Sequence, residues 1–409
     1  MSSPDRPDRG GQAQERPAVL VTDGEERAAL AVVRSLGQAG YRVHVSARRP
    51  GALAATSRWT AGCLVTPDPL RASREFVDAV AQYVLLHGIR LVIPITDASM
   101  PVLLAARDRL SDAIIPFGSI ESFQALADKA GLEDRARQLG IAFPGQKTLT
   151  WERRKQSLDG EIEFPIVIKP ARSVGESGGQ RAKFGVLHAS NSRALRAALE
   201  ALPAAAYPLL LQRRIVGPGV GVFLLLWNGQ VVARFAHRRI REKPPSGGVS
   251  VYAESIATVP DLADRSEALL AGIGWRGVAM VEYKVDATSG TPYLMEINGR
   301  FWGSVQLAID AGVDFPRLLA ECALAGQPAS IPPYRTGVHV RWWWGEVDHL
   351  LARLRHSDAA LSLPPGAPTR IAALRAFFGA CLGGDGDAVW RRDDPRPFLS
   401  ETLAWFRRQ

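Results

Sequence analysis

The sequence predicts a mixed architecture, α/β at its start and α+β after it, on three observations. Up to about residue 118, short apolar strands alternate with amphipathic helices, the pattern of a parallel sheet covered by its crossover helices. From about residue 119 the strands come as hairpins instead, one of them closed by Asn228-Gly229, a dipeptide suited to a two-residue turn. Past residue 330 a short, helix-rich region follows.

"AVLVTDG" (18–24) reads as a strand ending in a turn, "EERAALAVVRSLGQAG" as a helix and "YRVHVSA" as a second strand. That βαβ opening lacks G-x-G-x-x-G, so a dinucleotide fingerprint is absent. "CLVTP", a helix over 71–87, "RLVIPI", a helix over 102–110 and "AIIPFG" complete an open parallel sheet. "SIESFQALADKAGLEDRARQLGIAFPGQ" is expected to be one helical stretch, capped by Ser119 or Ser122 and stopped by Gly140 and Pro144. The strands "FPIVIKPARS" and "GVLHAS" and the helix "NSRALRAALEAL" follow. Then come "PLLLQRRIVG", the Asn-Gly hairpin "VGVFLLLWNGQVVARFAHRRIRE", the hairpin "GVAMVEYKVDATSGTPYLMEING" and a helix over 303–324. "RWWWGEVDHLLARLRH", a Pro/Gly loop and a last helical pair end the chain. The expected units are a disordered tail at 1–16, an α/β domain at 17–118, a second domain at 119–330 and a capping region at 331–409.

With 46% hydrophobic and 22% charged residues, the composition is that of a soluble globular protein. No apolar run reaches the roughly 18 residues of a membrane span, and the polar N-terminus carries no signal-peptide core. Cys63, Cys322 and Cys381 are too scattered for a CxxC metal site and too few for a disulfide framework, which points to a reducing cytoplasm. The net charge of +9 comes from arginine spread along the whole length, without a nucleic-acid module. The partners expected are therefore small molecules, neither nucleic acid nor membrane. Against that background the few lysines in phosphate-type contexts stand out.

In "YLMEINGRFWGS" (293–304), alternation puts Glu296, Asn298 and Arg300 on one face and Met295 and Ile297 on the other. The turn centres near Ser289, so a symmetric hairpin sets Glu282 opposite Glu296. Like charges at that spacing repel unless a cation lies between them, and with Asn298 they make an all-oxygen set suited to Mg²⁺. The alternative is a solvated polar face with Lys284 neutralising Glu282. Lys169 ends an apolar strand ahead of "PARSVGESGGQ", whose Ser173, Gly175, Gly178 and Gly179 let backbone N–H groups approach an anion. The lysine precedes the glycines, so this is not a P-loop.

Taken in order, Lys129 in "ADKAGLEDRARQLGI", Lys169 in "IVIKP", the hinge "LLLQRRIVG" and the pair Glu282 and Glu296 closing with "MEINGR" resemble an ATP-grasp domain. The unit before them resembles the pre-ATP-grasp domain of carboxylate ligases. The resemblance implies two α+β lobes, about 119–205 and 206–330, with ATP between them. It places Lys129, Lys169 and the loop at Ser173, Gly175, Gly178 and Gly179 on the phosphates, and Gln212, Arg213 and Ile215 at the adenine. Glu282, Glu296 and Asn298 would carry Mg²⁺, or Mn²⁺ in its place. The chain departs from many relatives at Pro218, where an acidic ribose ligand is frequent, and in its basic hinge, Arg213 and Arg214.

The resemblance implies a carboxylate–amine ligase that forms an acyl phosphate and releases ADP and phosphate. Arg300 is expected to hold that acyl phosphate, the alternative being an ion pair with one of the glutamates. His237, Arg239 and Arg241 alternate to one face of "FAHRRIREKPPSGGVSV", with Arg238 opposite, and are the candidates on the acceptor side, together with backbone donors from Ser246 onward. Two other readings remain: bicarbonate phosphorylation as in carbamoyl-phosphate synthases and biotin carboxylases, and a non-catalytic nucleotide-binding regulator. A homodimer is common among resembling proteins. Trp342 to Trp344 are expected to pack rather than stack on a ligand, and the C-terminal region to cap the ligase or help form the acceptor pocket.

Overall fold

The computed structural model describes residues 16–129, 131–156, 162–171, 174–177, 180–326, 333–364 and 366–408. The expected tail lies outside them apart from Arg16, as do Ser173, Gly178 and Gly179 of the glycine loop.

The first domain runs β1 (Ala18–Val21), α1 (Arg27–Gln38), β2 (Arg42–Ala47), β3 (Thr60–Val65), α2 (Ser73–His87), β4 (Ile89–Ile93) and α3 (Ser99–Ala105). Its sheet has the order β3-β2-β1-β4 with every pair parallel. β1 is buried throughout, which explains its uninterrupted apolar sequence: helices cover both faces of such a sheet. The helix expected over 102–110 is α3 followed by a separate 3-10 turn, Arg107–Leu110, and "AIIPFG" contributes only the single bridge Leu91 to Ile114. Because β2 and β4 leave β1 on opposite sides, a crevice opens at the carboxyl ends of β1 and β4. Asp23 and Asp97 stand there. Asp23 is held by Ser99 Oγ (2.6 Å) and Thr96 Oγ1 (3.0 Å), both donating to its carboxylate.

The stretch expected to be one helix is two, α4 (Ile120–Ala127) and α5 (Leu132–Gln138). Ser119 caps α4, its side chain accepting from Ser122 N. The chain leaves the helix at Asp128, and the Lys129 N–H then bonds Ala171 O (3.2 Å) instead of a helical carbonyl. β5 (Gln146–Leu149), β6 (Ile166–Pro170), β7 (Val174–Ser177), β8 (Gln180–Lys183), β9 (Leu187–Ala189), α6 (Ser192–Ala201) and β10 (Leu209–Arg213) follow. β5-β10-β6-β9 form an antiparallel sheet over a small core that includes Leu149, Ile168, Leu195 and Leu209, while β7 and β8 pair as a separate hairpin. The lobe boundary expected at 205/206 is corrected here. β10 belongs to this sheet through its pairing with β5 and β6, so the sheets divide after Arg213.

The largest sheet holds β11 (Gly219–Trp227), β12 (Gln230–Lys243) and β13 (Val249–Ile256), then, after α7 (Pro260–Gly272), β14 (Gly277–Val285) and β15 (Pro292–Asn298). Asn228 and Gly229, both at positive φ, close the β11–β12 turn as expected. The helix expected over 303–324 breaks into α8 (Val305–Ala311) and α9 (Phe315–Ala325) at Gly312, whose φ of 114° ends the first, and Asp314 caps the second.

The C-terminal region is more than a cap. Its β16 (His339–Arg341) joins β13; α10 (Trp343–Arg355), α11 (Arg370–Leu382), β17 (Gly386–Asp387) and α12 (Arg396–Phe406) follow, and β17 pairs with β16 to complete the order β15-β14-β11-β12-β13-β16-β17. It also ties to the first domain, where buried Asp394 accepts from Arg34 Nε (2.9 Å), Ser57 Oγ (2.7 Å) and Arg58 N (2.9 Å). The tryptophans pack as expected: Trp344 stacks on Trp405 at 4.3 Å and Trp342 Nε1 donates to Glu401. Among the described residues no helix is long and apolar enough to cross a membrane.

Candidate active site

The β14–β15 register sets Glu282 directly opposite Glu296, with a bulge just after Glu282. The register is fixed from the other face, where Tyr283 and Leu294 are buried and Tyr283 Oη meets Ser266 Oγ at 2.8 Å; a slip of one residue would expose them and bury the acids there. Pairing continues sideways, so that one row reads Glu296, Glu282, Gly221, His237 and Ser255 across five strands. Gly221 is needed in that row, since a Cβ there would stand 2.5 Å from the Phe223 ring. Gly219 leaves space for Arg239, which reaches past β11 to clasp Glu282 with two bonds, Nη1 to Oε1 at 2.8 Å and Nη2 to Oε2 at 2.5 Å.

The other acid faces a lysine. Lys129 Nζ lies 2.9 Å from Glu296 Oε2, and Asn298 Nδ2 donates to Glu296 Oε1 (3.2 Å). Arg300 Nη2 donates to Asn298 Oδ1 (2.9 Å), and the same guanidinium forks onto both carboxylate oxygens of Asp97 at 2.8 Å. Arg300, expected either to hold a substrate group or to pair with a glutamate, thus pairs with an acid of the first domain. Lys169 is buried and donates to Met295 O at 3.3 Å.

These contacts split the charges sharply. Lys129 drives Glu296 well below the usual carboxylate range, whereas burial pushes Glu282 up despite Arg239. Burial, reinforced by the neighbouring Lys129 charge, lowers Lys169 to about 8. For Lys129 itself, burial opposes the charge but Glu296 prevails and the value rises. Arg239 and Arg300 likewise rise, burial being outweighed by Glu282 and Asp97 respectively. His237 is fully buried and falls well below 6.5, first from burial and then from Arg239, so its ring is neutral near pH 7. Its Nε2 has no hydrogen-bond partner.

Two facing carboxylates and an amide oxygen form an all-oxygen donor set that fits Mg²⁺, which keeps several waters and completes its sphere with phosphate oxygens. The described residues hold no cluster of three His, Cys, Asp or Glu side chains of the kind a fully protein-ligated metal needs. Of the predicted adenine residues, Gln212 and Ile215 are buried, and Gln212 Oε1 lacks a partner. Arg213 instead lies over the Tyr293 ring at 5.0 Å. At Pro218 the chain is used structurally, its carbonyl accepting from Val285 N (3.0 Å). Gly175 lies in β7; Ser173, Gly178 and Gly179 lie outside the described residues. A bulge between Arg239 and Arg241 gives Arg241 different partners, Glu346 and the Tyr252 ring, and Arg238 pairs outward with Glu254.

Three contributors escaped the sequence reading. Asp97 was signalled only by being an acid just past a strand end, at a sheet's switch point. Gly219 and Gly221 were signalled by glycines two apart on one face of a strand.

Residues 205–345 match a family model described as ATP-grasp in the biosynthetic pathway with Ter operon. An L-amino acid ligase from Bacillus licheniformis has a similar structure, with TM-score 0.59 and 18% identity over 76% of this chain and 75% of that one. Biotin carboxylase from Campylobacter jejuni, in a β,γ-ATP complex, gives 0.59 and 17% over 79% and 74%. N5-carboxyaminoimidazole synthetase from Staphylococcus aureus, complexed with ADP, gives 0.57 and 14% over 77% and 78%. No curated protein matches the chain in sequence.

Proposed function

This chain has the ATP-grasp fold, and we propose that it is an ATP- and Mg²⁺-dependent ligase that activates a carboxylate as an acyl phosphate and joins it to an amine. The observation that carries the reading is the opposition of Glu282 and Glu296 beside two buried lysines.

In this reading Lys129, Lys169 and the loop at Ser173, Gly175, Gly178 and Gly179 bind the phosphates, and Gln212, Arg213 and Ile215 bind the adenine. Glu282, Glu296 and Asn298 are the residues that would hold Mg²⁺, or Mn²⁺. A divalent ion supplies neutralisation of the triphosphate and of the charge that develops at transfer. Arg300, oriented by Asp97, holds the carboxylate in line with the γ-phosphate. Arg239 stabilises charge on the transferring group from the Glu282 side. A neutral His237 is a weak base, so its role beside the acceptor is to orient the amine rather than to deprotonate it. The reading carries with it a cytoplasmic enzyme, as a monomer or homodimer, that acts on small molecules. The three free thiols agree with that setting.

The test is ADP release by purified protein given mixtures of acids and amines. Glu296→Gln is expected to cut turnover by at least about 10³-fold with circular dichroism unchanged. Turnover retained in that variant would refute the metal assignment. Label from bicarbonate appearing in product would replace the reading by bicarbonate phosphorylation, and nucleotide binding without ADP across a broad panel would replace it by a regulatory one.

A further inference from the structure

The sheet β5-β10-β6-β9 sets Gln146, Gln212, Val167 and His188 in one row across its four strands. Ile166, Ile168, Ala189 and Leu211 point the other way, into the small core of this lobe. The row therefore faces the large sheet, as does Lys169 two residues beyond Val167, whose Nζ reaches Met295 O. Its two ends are polar and incomplete. Gln212 Nε2 donates to Gln146 Oε1 (3.2 Å), but Gln212 Oε1 and His188 Nδ1 are both buried without a hydrogen-bond partner. Half-buried Val167 lies between them as an apolar seat. Gln212 and His188 are two strand spacings apart, about 10 Å at the backbone, the reach of a nucleoside from its base edge to its sugar hydroxyls.

Lys284 shares a face of β14 with Glu282, and its charge acts on the His188 ring from the large sheet. Burial first, then Arg214 and Lys284, lower that ring from 6.5 to about 4. It is neutral near pH 7, with one nitrogen donating and the other accepting. His188 also lines a cavity of about 400 Å³ where Pro244 and Ser246, in the turn between β12 and β13, and residues 360–362 come up to β9. The chain has Pro218 where many resembling proteins carry an acidic ribose ligand, and the Pro218 carbonyl already accepts from Val285 N.

Resting on the nucleotide reading above, we propose that His188 binds the sugar of the nucleotide, a ribose hydroxyl bonding its Nδ1 while the base lies over Val167 with its edge at Gln212. Arg213 and Ile215 continue the chain from Gln212, so the base belongs to that end of the row and the sugar to the other. A hydroxyl both donates and accepts, so it satisfies Nδ1 in either tautomer, which a carbonyl does not. A ring that only filled space would leave that nitrogen a standing cost of burial.

The full-length protein with Mg²⁺ is titrated calorimetrically with adenosine 5′-(β,γ-imido)triphosphate and with its 2′-deoxy and 3′-deoxy forms. The wild type should bind the ribonucleotide about tenfold more tightly than at least one deoxy form, the loss of one hydrogen bond to a buried group. His188→Leu should weaken the ribonucleotide about tenfold and leave that deoxy form within about twofold, so that the discrimination closes. His188→Asn, whose amide takes the place of Nδ1 and can turn either atom to the hydroxyl, should restore most of it. Equal binding of the three nucleotides by the wild type, a loss in His188→Leu that falls alike on all three, or discrimination that persists in this variant would overturn the proposal. The wild-type comparison depends on no substitution.

The ligase reading is scored separately by ADP release. Hydroxyl discrimination without ADP from any acid and amine mixture keeps the sugar contact and removes the ligase. ADP release with binding indifferent to the hydroxyls keeps the ligase and removes the contact. Failure of all three nucleotides to bind removes both.

Discussion

On the proposed reading, Lys169 should make nucleotide binding depend on pH in a range where an ordinary lysine would be inert. Its ammonium is lowered from 10.5 to about 8 by burial and by the charge of Lys129, while a phosphate partner favours the charged form. Nucleotide binding at Lys169 is therefore expected to be accompanied by proton uptake above pH 8. Free protein at pH 9 carries Lys169 about nine-tenths deprotonated, so apparent affinity should be about tenfold weaker than at pH 7. Isothermal titration with an ATP analogue at pH 7, 8 and 9, in buffers of differing ionisation enthalpy, measures both the affinity and the protons taken up. Lys169→Arg keeps its charge throughout and should flatten the profile. The same shift bears on stability with the opposite sense from a stabilising pair. The folded value lies below the unfolded one, so the unfolded chain holds the extra proton between about 8 and 10.5, and stability rises with pH across that window. The buried charge costs about 3 kcal/mol below pH 8, relieved as pH approaches 10.5. Affinity that stays level from pH 7 to 9, or falls equally in Lys169→Arg, would refute this account.

Two further substitutions separate positioning from stability. Asp97→Asn weakens the fork that orients Arg300; both side chains are about four-fifths buried (20% and 22% exposed), so the stability loss should be about 1–3 kcal/mol. Turnover should still fall about 10²-fold in kcat/KM, measured by ADP release, with analogue affinity unchanged. Asp394→Ala, far from the site, strips a buried acceptor from Arg34, Ser57 and Arg58. Leaving that guanidinium uncompensated should cost about 3–5 kcal/mol in denaturant unfolding.

The acid pair was legible because a symmetric count about the turn at Asp286 to Pro292 sets Glu282 against Glu296; the pairing nearest the tip, Val285 with Pro292, would alone have put Glu282 opposite residue 295, and the bulge after Glu282, which no sequence signal announced, restores the opposition. Lys169 was legible for a similar reason, as a lone charge ending an apolar strand. Asp97 was not, because its partner Arg300 is 203 residues away and nothing local requires an acid there. The break at Asp128 was hidden by helix-forming residues on both sides; the burial of Lys129 against Glu296 overrides their propensity. The joining of β16 and β17 to the large sheet was hidden as well, since strands of three and two residues leave no period to read.

On the proposed reading, the ion pairs of the site would also tie its two ligands together. Glu282, Glu296, Asp97 and Glu242 are each paired with a cation drawn from Arg239, Lys129 and Arg300. A divalent ion entering alone has to compete with Arg239 for Glu282 and with Lys129 for Glu296. A triphosphate entering alone sets its negative charge beside those same carboxylates. On the proposed reading, Glu282 and Glu296 would hold the ion and Lys129 and Arg239 would face the phosphates, so that each opposing charge would keep a partner. Reciprocity then requires that metal strengthen nucleotide binding by the same factor by which nucleotide strengthens metal binding. On the proposed reading, the ion pairs of Arg239 and Lys129 with Glu282 and Glu296 in the free protein would make the loaded state selective for both ligands at once.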